Sequence, residues 1–260
     1  MAHSHEHHHE HVHELTSLNK SFIIGITLNI LFVLVEFGIG FYYDSLGLLS
    51  DAGHNLGDVA SLVLAMLAFR LAKVHPNSRY TYGYKKSTVL VSLLNAVILL
   101  VAVGIIITES IEKLFHPVPV EGAAIAWTAG VGVVINAVTA WLFMKDKEKD
   151  LNVKGAYLHM AADTLVSVGV VISGIIIMYT GWTLVDPIIG LVIAVIIVIS
   201  TWSLLHDSLR LSLDGVPVGI DSEKIGRVIL EQPGVESYHH LHIWALSTTE
   251  TALTAHIVIG

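Results

Sequence analysis

The chain has 260 residues, 53% of them hydrophobic and 14% charged, with a formal net charge of −8 and a mean hydropathy of +0.69. Apolar runs that repeatedly reach the roughly 20 residues needed to cross a bilayer mark an integral membrane protein, and the acidic balance argues against nucleic acid as a partner. There is no Cys, so disulfides are excluded and any metal site must use nitrogen and oxygen ligands.

The first twenty residues are polar and carry His3, His5, His7, His8, His9, His11 and His13, interrupted by Ser, Glu and Val. Such a tract binds borderline divalent ions weakly and is expected to stay disordered, as a feeder or buffer or simply as a solvated tail. The stretch from Ser21 to Tyr43 is too long for a signal-peptide core and lacks a small-residue cleavage site, so it reads as a retained first span. Hydropathy then predicts six helices, over residues 21–43, 47–72, 87–114, 122–144, 152–180 and 184–209.

Basic residues test that count, because short cytoplasmic loops hold them. With the N-terminus inside, all fourteen except Lys113 fall on the inner side: Lys20, the set from Arg70 to Lys86, the set from Lys145 to Lys154, and Arg210, Lys224 and Arg227. Five or seven spans would scramble this pattern, so both termini are expected in the cytoplasm.

After the sixth helix the sequence Asp214-Gly215-Val216-Pro217 stops the helix and opens a soluble segment. Residues 221–232 read as an amphipathic helix with Ile225, Val228 and Ile229 on its apolar face. Strand-like runs follow over 238–246 and 252–259, separated by Ser247-Thr248-Thr249-Glu250. The expected organisation is thus a tail (1–20), a transmembrane domain (21–212) and a partial domain (213–260). About 45 residues make little core, so this last piece is expected to be incomplete or to need a partner.

Two of the predicted spans carry the same pattern, His54-Asn55-Leu56-Gly57-Asp58 and His159-Met160-Ala161-Ala162-Asp163. An imidazole and a carboxylate four residues apart share one helix face. Placing Asp in hydrocarbon costs roughly 2.5 to 3.5 kcal/mol, so each needs a partner. The predicted topology makes the second and fifth helices antiparallel, and all four side chains can meet in the inner half of the bilayer. Two imidazoles and two carboxylates form the four-coordinate shell that zinc favours, and their two charges cancel those of a divalent cation. The structural alternative is that each pair caps or hydrogen-bonds within the bundle. Asp51 could guide ions at the outer entry, and Glu36, Asn29, Asn95 and Asn136 could line the polar interior or join helices as hydrogen-bonding glue.

A further group, His239, His240, His242 and His256, lies in the soluble segment. Strand alternation puts His240 and His242 on one face and His239 on the other, leaving His239 with His256 as the reasonable metal pair. Polar residues on a half-exposed sheet are the plain alternative.

At these residues the chain resembles the cation diffusion facilitator family of proton-coupled zinc exporters. The resemblance rests on the run from Ser45 to Asp58, on His159 to Asp163, on Tyr82-Gly83-Tyr84-Lys85-Lys86, on Asp186-Pro187 and on His239-His240-Leu241-His242-Ile243-Trp244. It implies an all-α membrane bundle of six transmembrane helices followed by a small cytoplasmic α+β ferredoxin-like domain, truncated here. It further implies a homodimer in the bacterial cytoplasmic membrane that exchanges cytoplasmic zinc for external protons by alternating access. His54, Asp58, His159 and Asp163 match the family's transport-site positions, and His239 and His256 match ligand positions of its cytoplasmic domain. The resemblance also pairs Lys86 with Asp214 as a charge interlock. A loop histidine of the family is Tyr84 here, which leaves His75 as the one candidate in that loop.

The expected activity is divalent metal efflux, with zinc as transported substrate and possible structural ion, and not enzymatic turnover. An intramembrane zinc hydrolase needs an open coordination position and a general base, and four protein ligands leave neither. No phosphate-binding loop for an ATP-driven pump is present. A passive metal channel and a membrane-bound metal sensor are the rival readings.

Overall fold

The computed structural model describes residues 8–42, 46–116, 123–182 and 184–260. Six long helices come first: α1 (His8–Tyr42), α2 (Leu46–Ala72), α3 (Ser87–Phe115), α4 (Ala123–Met144), α5 (Leu151–Thr180) and α6 (Val185–Ser212). A short α7 (Ser222–Leu230) and the strands β1 (Val235–Ala245) and β2 (Thr251–Ile259) complete the chain. Helices dominate because hydrocarbon offers the backbone no partner, so each span must satisfy its N–H and C=O groups internally.

Among the described residues five helical segments are long and apolar enough to cross a membrane: Lys20–Ile39, Asn55–Ala72, Ser87–Phe115, Leu151–Ile177 and Pro187–Ser212. The sixth expected span is α4, whose described side chains give the shorter apolar stretch Gly130–Met144. The tail departs from expectation. Backbone that the sequence left disordered is helical from His8 onward, while His3, His5 and His7 lie outside the described residues. Residues 8–20 hold no Gly or Pro, and extending a helix already nucleated by an apolar span costs little per residue.

Within the bundle α3 packs on α6, α4 on α5 and α1 on α2, with α5 also touching α2, α3 and α6. Small residues allow close approach. A Cβ at Gly25 of α1 would stand 2.9 Å from the Thr139 methyl of α4, and one at Gly132 of α4 would stand 3.0 Å from the Phe32 ring. One apolar core gathers Phe22, Val59, Leu62, Phe143 and Met160, and another Leu99, Val103, Ala194 and Ile197. Leu34, Val101, Val134, Val195 and Ile199 point outward, as a lipid-facing surface requires.

β1 and β2 form a two-stranded antiparallel sheet in which His239 faces His256, with the register broken between His239 and His242. This hairpin sits against the ends of α3, α5 and α6. Ala245 packs with Val89 and Leu211, and Lys86 Nζ donates to Asp214 (2.6 Å), Leu211 O (2.7 Å) and Ala245 O (3.1 Å). The Lys86 and Asp214 side chains expected as an interlock are therefore in contact. Lys85 pairs with Glu250 at the hairpin turn.

Candidate metal site

The site is built on two helices held at their ends and along one face. At the start of α5, Asp150 caps the helix, accepting from Asn152 N (2.7 Å) and Val153 N (3.3 Å). At its far end Gly181 closes the helix with φ 68°, a left-handed turn that costs glycine nothing. Between them Met160, fully buried, seats α5 in the apolar core beside Val59 and Leu62 of α2. His159 and Asp163 therefore point at α2.

The two helices bring three of the expected ligands together. His159 Nε2 and Asp58 Oδ1 are hydrogen-bonded at 2.7 Å, and Asp163 Oδ2 lies 3.9 Å from the same nitrogen. One ligand atom from each of Asp58, His159 and Asp163 falls within 4.8 Å of the other two. Asp58 and His159 are buried and Asp163 is partly buried. The fourth expected ligand, His54, stands on α2 one turn before Asp58. Its side chain lies outside the described residues, as do those of Asp51 and Asp186.

Around this group the bundle interior is polar. Asn55 Nδ2 donates to Glu36 Oε2 at 2.7 Å, and Asn29 Nδ2 donates to Gly25 O (2.9 Å) and Thr139 Oγ1 (3.3 Å). Glu36, Asn29, Asn95 and Asn136 are all buried. Two carboxylates and an imidazole within ligand distance of one another can neutralise and partly coordinate a divalent ion in a medium where an unpaired charge is prohibitive. The backbone of His54 lies one turn before Asp58 on the same helix.

The hairpin corrects one reading of the sequence. Strand alternation put His239 and His240 on opposite faces, yet His239, His240 and His256 each offer a ligand atom within 4.8 Å of the others. The cause is the β-bulge: His240 has φ 53°, a left-handed conformation that turns its side chain back toward its neighbour. Ring centroids are 5.1 Å apart for His239 and His240, 5.2 Å for His239 and His256, and 5.3 Å for His240 and His256. His242 stacks on His240 at 6.4 Å. All four are exposed. His75 is exposed in the segment between α2 and α3 and joins no metal-capable group among the described residues.

A polar joint absent from the sequence reading links the two parts of the chain. The Thr248 hydroxyl donates to Asp150 Oδ2, and Thr248 N donates to Thr88 Oγ1 at 3.0 Å. Burial pushes the Asp150 carboxyl above the usual carboxylate range, with the bonds from Thr248 and the α5 backbone opposing that rise.

Comparison with known proteins agrees with this architecture. The family model for the cation efflux transmembrane domain matches residues 22–211, and that for the cation efflux protein cytoplasmic domain matches residues 217–260. The chain is 38% identical to the zinc transporter ZitB of Escherichia coli, over 100% of this chain and 83% of that protein. It is 36% identical to the cadmium, cobalt and zinc/H(+)-K(+) antiporter of Bacillus subtilis, over 88% and 74% of the two chains. With the metal cation efflux system protein CzcD of Cupriavidus metallidurans the identity is 37%, over 92% and 76%. Matched through its helical bundle and its hairpin alike, the chain belongs to the cation efflux family.

Proposed function

We propose that this protein exports divalent cations, zinc foremost, from the cytoplasm in exchange for protons, through a transport site formed by His54, Asp58, His159 and Asp163. The observation that carries the reading is the convergence of Asp58, His159 and Asp163 from two helices inside an apolar bundle. The relatives, a zinc transporter and a cadmium, cobalt and zinc/H(+)-K(+) antiporter, support the substrate and the coupling.

In the proposed cycle the site opens to the cytoplasm and zinc displaces protons from the His and Asp ligands, because metal and protons compete for the same atoms. The bundle then turns the site outward by alternating access, and external protons expel the ion. The contact between His159 and Asp58 is the resting arrangement that zinc replaces. The same reading has α1 to α6 as six spans in the bacterial cytoplasmic membrane with both termini inside. It divides the chain into a tail (1–20), a transmembrane domain (21–212) and a cytoplasmic domain (213–260). That last domain is of the ferredoxin-like type and joins a homodimer. His239 and His256, with His240 added by the bulge, form a cytoplasmic zinc site, and His75 is a lone loop candidate.

The test is zinc-driven proton flux in proteoliposomes. His54→Ala, Asp58→Ala, His159→Ala and Asp163→Ala are each expected to abolish it, and retained flux in His54→Ala or Asp163→Ala would sink the site assignment. Zinc flux indifferent to a pH gradient would mark a passive channel, and zinc binding without flux a sensor.

A further inference from the structure

α1 contributes no ligand to the transport site, yet its inward face carries two fully buried polar side chains, Asn29 and Glu36, two helical turns apart. Burying a carboxyl within a membrane span is costly and calls for a task. Each of the two residues reaches a different ligand-bearing helix. Glu36 Oε2 accepts from Asn55 Nδ2 at 2.7 Å, and Asn29 Nδ2 reaches the Met160 sulfur at 4.0 Å. Asn55 is the residue immediately after His54, and Met160 is the residue immediately after His159. The first helix thus grips both HxxxD motifs at the same position.

We infer that α1 is the brace of the transport site: Glu36, through Asn55, and Asn29, against Met160, are positioning residues that set the rotation of α2 and α5 about their axes and so aim the ligands at one point. The geometry suits this task. A residue next to a ligand in sequence sits about 100° around the helix from it, so a grip there leaves the ligand face free for the ion while preventing the helix from turning. Asn29 is anchored in its turn on Thr139 of α4, whose hydroxyl donates to Ile135 O at 2.8 Å. The proposed role needs an acceptor at position 36 and not a charge.

This inference rests on the transport-site reading above, and the two can fail separately. Zinc-driven proton flux is measured in proteoliposomes across a zinc titration for Glu36→Gln, Glu36→Ala, Asn55→Ala, Glu36→Ala with Asn55→Ala, and Asn29→Ala, beside Asp163→Ala. Glu36→Gln keeps an acceptor and is expected within about twofold of wild type, whereas Glu36→Ala and Asn55→Ala raise the zinc KM about tenfold, the order of one lost hydrogen bond to a carboxylate. Their kcat is expected to hold within about threefold, the signature of weakened binding with the later steps intact. The double variant is expected to be no worse than either single one, since both remove the same bond. Asn29→Ala is expected to raise KM in the same direction.

Glu36→Gln as inactive as Glu36→Ala would overturn the brace and make the acid a proton carrier. Unchanged KM in Glu36→Ala and Asn55→Ala, with Asp163→Ala dead, would overturn the brace and leave the transport site standing. Flux retained in Asp163→Ala would remove the reading beneath it. Should Glu36→Ala fail to reach the membrane, Glu36→Gln and Asn55→Ala decide the matter by the same criteria.

Discussion

At His240 the backbone is held at φ 53°, a conformation that costs an ordinary L-residue roughly 1 to 2 kcal/mol. Strain of that size persists where the surroundings or a task require it, and here the turned side chain places a third imidazole beside His239 and His256. His240→Gly separates the two effects. It is expected to hold or raise the thermal stability of the metal-free protein, because glycine adopts this conformation freely. It is also expected to lower zinc affinity about tenfold, ~1.4 kcal/mol, measured by chelator competition on the full chain carrying Asp163→Ala so that the membrane site is silent. Unchanged affinity would mean that these imidazoles are solvated side chains that bind no ion together. The same residue shows where sequence reading stops. The HxxxD pairs were legible because i and i+4 share a helix face whatever surrounds them. His240 was not, because alternation along a strand is the default and nothing local announces a bulge. Glu36 was legible as a polar residue in an apolar helix, but its partner Asn55 was not, being read only as part of the motif that holds His54.

The bounds of the elements were legible too, since apolar runs ended by Gly, Pro or charge define α2 to α6 to within a residue or three of the expected limits. The polar joint at the head of α5 was not, because Thr248 and Asp150 are distant in sequence and meet only when the hairpin docks. That joint carries helix α5. Asp150 caps it while accepting from Thr248, and Thr88 accepts from Thr248 N and, through its carbonyl, from Asn152 Nδ2 at 3.0 Å. Asp150→Ala removes a cap, typically ~1 kcal/mol, and leaves the Thr248 hydroxyl without its acceptor, a further ~1 to 3 kcal/mol. The melting temperature of the detergent-solubilised protein is expected to fall by about 2 to 4 °C per kcal/mol, and Thr248→Val should lower it less. The pH dependence has a definite sign. Burial raises the Asp150 pKa above its ordinary 3.8, so proton binding favours the folded state. The stability due to this group is full below 3.8, and is lost as pH rises through the raised folded value. Asp150→Asn, which still caps, is expected to flatten that part of the profile, and an unaltered pH profile would mean that this carboxyl is not perturbed.

Across the whole molecule, thirteen of the fourteen basic residues and the docked hairpin speak to the same arrangement from different physics. Retention of Lys and Arg on the inner side is a rule of insertion, while the hairpin's contacts with Lys85, Lys86 and Asp150 are packing. Both place the segment between α2 and α3, the segment between α4 and α5, and the C-terminal part at one end of the bundle. The proposed six-span topology requires α4, whose described apolar stretch is the shortest, to cross the membrane with the others. Because the chain has no Cys, single introduced thiols report their side without background. Ser78→Cys and Glu148→Cys, both exposed at this end, are expected to react with a membrane-impermeant maleimide only after cells are permeabilised. His116→Cys and Trp182→Cys, exposed at the opposite end, are expected to react in intact cells. His116 and Glu148 flank α4, so opposite labelling of that pair establishes the crossing. Labelling of both from outside would place α4 along the interface, reverse the direction of α5 relative to α2, and break the antiparallel meeting of the two HxxxD motifs on which the proposed transport site depends.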